Sequence, residues 1–144
     1  MTRLRLMCVV AALSLLSATV AVRAHHAFAA EFDAKKPIKL QGTVTKVEWI
    51  NPHAWIHVDV KNAEGTVERW MFELGGPGPL ARRGIDRDSP HMKPGTEIVA
   101  EGFLSKGQPR RANGRVLQYT NGQTLFVGSS GTGAPSDGRD PTER

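Results

Sequence analysis

Ala54-Trp55-Ile56-His57-Val58-Asp59-Val60-Lys61, followed by Asn62-Ala63-Glu64-Gly65, is the stretch that decides the fold. Ile56, Val58 and Val60 fall on one side of an extended chain, and Trp55, His57 and Asp59 on the other, the period of a half-buried strand. The segment from Asn62 to Gly65 has the composition of a hairpin loop, with Gly65 in a left-handed position. A partner strand is expected over Thr66 to Leu74, with Trp70, Phe72 and Leu74 on one face.

The preceding run from Lys39 to Ile50 is a third strand, rich in the β-formers Thr43, Val44, Thr45 and Val47. Its apolar alternation changes phase between Val44 and Val47, which calls for a bulge or a sharp bend. Asn51-Pro52 marks a turn. Downstream, Gly75 to Pro79 breaks the pattern, a short helix is expected from Leu80 to Arg83, and Gly84 stops it. Lys93-Pro94-Gly95 is a turn before a strand from Thr96 to Leu104. Two last runs, Arg115 to Tyr119 and Thr124 to Val127, flank Asn121-Gly122. Three strands, a short helix, then further strands is the order of an all-β, OB-like Greek-key barrel with the helix between strands 3 and 4. A small β-sandwich is the alternative. The expected organisation is a signal peptide over 1–24, an N-terminal arm over 25–38, the OB-like β domain over 39–128 and a disordered tail over 129–144.

The leader has Arg3 and Arg5 at its start and an uncharged apolar or small run from Leu6 to Val22. That run is short for a membrane span and has the flanks of a secretory signal. Val22-Arg23-Ala24 predicts cleavage after Ala24; Thr19-Val20-Ala21 and Ala27-Phe28-Ala29 are competing sites. The product is expected to be periplasmic or secreted, with no membrane span after signal removal. Cleavage removes the single cysteine, Cys8, so the mature chain has neither disulfides nor thiolate ligands. It also removes Arg3, Arg5 and Arg23, leaving 16 basic against 14 acidic residues, a net charge of +2. So small a charge argues against nucleic acid as the partner. Arg82-Arg83 and Arg110-Arg111 read as solvated basic pairs.

Five histidines remain: His25, His26, His53, His57 and His91. After cleavage at Ala24, His25 carries both an imidazole and the free α-amino group, with reference pKa values of about 6.5 and 7.7–8.0. The two nitrogens can chelate one ion, a donor set that suits Cu(II). A second histidine would complete a three-nitrogen brace. His53 and His57 lie about 13 Å apart on an extended chain, so only one of them can serve. His53, at the Asn51-Pro52 turn, is the first choice, with His57 and His26 behind it. Trp55, His57 and Asp59 share the outward face of their strand and form a candidate partner-binding patch, for an envelope protein or a small ligand. The alternative to copper carriage or sequestration is thus a metal-independent periplasmic binding module for a protein, peptide or glycan. His91 has no partner in sequence. There is no Gly-x-Ser-x-Gly elbow and no phosphate loop, and Glu48, Asp59, Glu73 and Glu101 form no evident acid/base pair. A non-enzymatic role is therefore expected, with a copper oxidase or oxygenase as a distant alternative; copper is the expected cofactor, with nickel and zinc behind it.

The segments from His25 to Asp33 and from Gly42 to Trp49, together with Asn51-Pro52-His53 and Lys93-Pro94-Gly95, resemble a family of small exported bacterial proteins of unknown function. The resemblance spans residues 25 to 128. It implies export and a compact β domain, and it implies no activity.

Overall fold

The computed structural model describes residues 28–129. The expected signal peptide, His25, His26 and nearly all of the expected C-terminal tail lie outside the described residues. A one-turn helix α1 (Phe28–Glu31) leads into a long strand β1 (Phe32–Glu48), then β2 (Trp55–Lys61) and β3 (Val67–Glu73). Helix α2 (Pro77–Arg82) and a 3-10 turn (Pro90–Met92) connect to β4 (Glu97–Ser105), β5 (Arg111–Tyr119) and β6 (Thr124–Phe126).

The sheet runs in the order β3-β2-β1-β4-β5-β6, and an additional pairing of β3 with β5 joins its two sides into a ring. That joining pair is parallel, whereas the others are antiparallel. The connectivity is that of an OB-like barrel, with α2 between strands 3 and 4 and β6 added outside the ring. The long β1 makes this closure work, because it pairs with β2 through its C-terminal part and with β4 from Pro37 to Thr43 and again at Phe32. The bulge expected between Val44 and Val47 occurs at Thr45, where the register against β2 shifts.

The alternation read from sequence sorts the side chains as expected. Ile56, Val58 and Val60 are buried with Phe72, Leu74, Ile98, Ala100 and Leu117, and Leu80 of α2 enters the same core. Close packing forces two glycines. A Cβ on Gly102 would lie 1.8 Å from the Asn113 carbonyl oxygen, opposite the bulge in β5 at Arg115, and one on Gly42 would lie 2.4 Å from that of Asp59.

Two boundaries differ from the sequence reading. β1 starts at Phe32, so residues 32–38, read as part of an irregular arm, are strand. Between Phe32 and Pro37 the pairing with β4 slips, leaving a polar stretch that is mostly exposed and carries no alternation to read. β5 starts at Arg111, four residues before the expected Arg115. Its first turn of sequence, Arg111-Ala112-Asn113-Gly114, looks unlike a strand, yet all but Arg111 are buried against β3 and β4.

Candidate functional site

One end of the barrel gathers the first or last residues of five elements. Trp55 opens β2 and pairs with Glu73, which closes β3; Arg111 opens β5 opposite Met71; Glu31 closes α1 and Phe32 opens β1. The β1–β2 loop brings His53 to the same place, and its end is fixed by backbone bonds between Ala54 and the Leu74–Gly75 segment. The Asn51–Pro52 bond in this loop is cis.

Glu73 is the centre of the cluster. By the period of β3 it faces outward beside Trp55, yet it is 7% exposed. A buried carboxylate is costly without partners, and Glu73 has one for each oxygen. Its Oε1 lies 2.6 Å from Nδ1 of His53. Its Oε2 accepts a hydrogen bond from Nη2 of Arg111 at 2.7 Å, and the same nitrogen donates to Oε2 of Glu31, also at 2.7 Å. The Arg111 guanidinium stacks on two rings, 4.8 Å from the Trp55 centroid and 5.4 Å from that of Phe32. Phe28 packs on Phe32 and edge-on against Phe103, which fastens α1 beside the cluster.

The His53–Glu73 contact fixes a tautomer. A proton must bridge 2.6 Å between an imidazole nitrogen and a carboxylate, so Nδ1 donates and the neutral ring keeps its lone pair on Nε2. Carboxylates hold metal-ligating histidines in this way. Among the described residues, no group of three or more His, Cys, Asp or Glu side chains is arranged to hold a metal ion. The described barrel therefore supplies His53 as a single oriented imidazole.

The other residues singled out in the sequence are elsewhere or otherwise engaged. His57 faces Glu48, with Nε2 3.6 Å from Oε1, too long for a hydrogen bond, and this nitrogen is buried. Burial pushes the His57 pKa below its ordinary value, against the pull of Glu48. Trp55, His57 and Asp59 do share the outer face of β2, but each meets a neighbour of the same chain: Arg111 on the Trp55 ring, Glu48 beside His57, and Arg69 on Asp59 at 3.1 Å. His91 stacks on Tyr119 at 4.9 Å between centroids.

Sequence reasoning missed Glu31, Glu73 and Arg111. Arg111 and Arg83 were both read as solvated, and the structure corrects both. Arg111 sits in the buried ion network, and Arg83 donates to the carbonyls of Phe126 and Gly128, tying the end of α2 to the end of β6 and the residues just after it. No spacing signal marks these residues, because Arg111 is 38 residues from Glu73 and 80 from Glu31.

Fold and site together define a closed OB-like barrel with a histidine–carboxylate–arginine cluster at one mouth. The chain belongs to the Family of unknown function (DUF6152), whose model matches residues 11–114. No curated protein and no solved structure matches it. Among the described residues no helix is long and apolar enough to cross a membrane.

Proposed function

We propose that the protein is an exported copper carrier or store, in which His25 contributes its amine and ring and His53 the third nitrogen. The observation that carries the reading is the clamp of Glu73 on Nδ1 of His53, which leaves Nε2 without a partner among the described residues. The anchoring of α1 beside the same cluster supports it. Phe28 follows His25 by three residues, a reach of about 10 Å of extended chain. The neutral imidazole and the amine are borderline donors suited to Cu(II). The role is carriage rather than turnover, because the cluster offers no nucleophile to activate.

The test is Cu(II) titration of the mature protein, with intact mass establishing that it starts at His25. Acetylation of the α-amino group removes the amine chelate without creating a new one, and His53→Ala removes the third nitrogen; each is expected to weaken binding. Glu73→Gln is expected to cost about 10–100-fold in affinity. Equal tight binding by the N-acetylated protein refutes the brace, and a mature chain starting at Ala30 removes it altogether.

A further inference from the structure

Away from His53, the β1 bulge and the turn before β4 enclose a cleft of about 330 Å³. Two segments singled out in the sequence, the one ending at Trp49 and Lys93-Pro94-Gly95, meet there. Its apolar wall is Val47, Trp49, Met92 and Pro94; its charged residues are Lys46, Arg87 and Lys93, with no acidic residue in the lining.

The walls are held in place before any ligand arrives. Gly95 donates to the Val44 carbonyl and Val44 to that of Thr96, both at 2.8 Å, which ties the turn to the bulged strand. The loop carrying Arg87 is closed by the Asp86 carboxylate, which accepts from the Asp88 and Ser89 amides and the Ser89 hydroxyl. Met92 is buried, its sulfur accepting from the Tyr119 hydroxyl. Trp49 is half-buried against the core and has little freedom left to lose.

The cations differ in availability. Lys46 is engaged by Glu48. Arg87 and Lys93 are exposed, and among the described residues neither has an acidic partner. Asp86 and Asp88 flank Arg87 in sequence, but neither forms an ion pair with it.

We propose that this cleft binds a small aromatic carboxylate, its ring against Trp49 and its carboxylate between Arg87 and Lys93. A planar guanidinium fork matches a carboxylate, and the exposed ammonium adds a second charge-assisted contact. The rigid indole selects for a ring. The volume is at the small end for a ligand site, which limits the occupant to one ring. The site is separate from His53 and stands whether or not copper binds.

The probe is benzoate, followed through the Trp49 indole N–H signal by NMR on the exported protein, with acetate and benzyl alcohol as matched controls. The expected result is a saturable shift at concentrations below about 10 mM, unaffected by His53→Ala, with both controls at least about tenfold weaker. The double variant Arg87→Gln and Lys93→Gln is expected to weaken benzoate at least about tenfold, and Trp49→Leu to do the same while both cations remain. Equal binding of acetate reduces the cleft to a patch of positive charge and overturns the proposal. So does equal binding of benzyl alcohol, or a shift that does not saturate.

Discussion

Replacing Arg111 by methionine tests whether the barrel mouth is held by its ion network. The substitution keeps part of the apolar contact with Trp55 and Phe32 and removes the charge. Two hydrogen bonds to carboxylates are lost, each 2.7 Å long, and such bonds contribute about 1.5–3 kcal/mol apiece. The two are not equal. The Glu31 side chain is 26% exposed and water can replace its partner, whereas that of Glu73 is 9% exposed and cannot be rehydrated without opening the loop. Orphaning one member of a buried pair costs about 3–5 kcal/mol, but Glu73 keeps His53, which limits the loss. The expected destabilisation is about 3 kcal/mol, or roughly 12–24 °C in Tm for a domain of this size.

Urea and thermal denaturation measure it directly, and a double-mutant cycle with Glu73→Gln separates the pair from its surroundings. A coupling energy above about 1.5 kcal/mol is expected. Glu31→Gln alone should cost no more than about 1 kcal/mol. If Arg111→Met costs less than about 1 kcal/mol, or the cycle shows no coupling, Glu73 is solvated in practice and the clamp on His53 loses its anchor.

Three further outcomes follow from particular contacts. Tyr119 is the chain's one tyrosine, and burial raises its pKa from 10.0 to about 12. Its contribution is therefore intact below pH 10 and is lost as pH rises through the folded value, by about 3 kcal/mol at most; phenolate absorbance should report the late titration and Tyr119→Phe should remove the loss. The depressed pKa of His57 disfavours the protonated form in the fold, so stability falls as pH drops below 6.5 toward the folded value. Urea midpoints across that range should flatten in His57→Gln, and an unchanged slope rejects the assignment. Gly102→Ala drives a Cβ into the Asn113 carbonyl and should cost about 3 kcal/mol or more, while Gly107→Ala, with nothing within 4 Å, should stay within about 0.5 kcal/mol.

The β2–β3 hairpin was legible because one face of each strand is buried and the other is not, so Ile56, Val58 and Phe72 sort by period alone. The phase change at Thr45 was legible for the same reason. Residues 33–36 gave no such signal, since they are neither paired in register nor buried, and a polar strand at this position looks like a linker. The start of β5 failed for the opposite reason. Asn113 and Gly114 are buried because β3 passes close beside them, and a Cβ on Gly114 would meet Leu74 at 2.8 Å. That closeness comes from the closure of the ring, a contact between strands far apart in sequence.

The site was half legible for a related reason. His53 stood out by residue type and by its place at a turn. Glu73 did not, because an outward-phase carboxylate on a strand is ordinarily a solvated one. It becomes buried only when three separate chain segments arrive over it: the β1–β2 loop with His53, the start of β5 with Arg111, and α1 with Glu31. Where β2, β3 and β5 begin or end together, backbone bonds from the β1–β2 loop and the start of β5 continue the ladder, and the covering segments exclude water from Glu73. Charge that is compensated there is also charge that orients, and a histidine held at one ring nitrogen can offer only the other. The N-terminal segment enters this arrangement as a structural member through Glu31. Removing the Glu31 carboxylate should therefore loosen α1 before it disturbs His53, and copper affinity should fall in Glu31→Gln by less than in Glu73→Gln. The reverse order would mean that the arm, rather than the barrel, orients the imidazole.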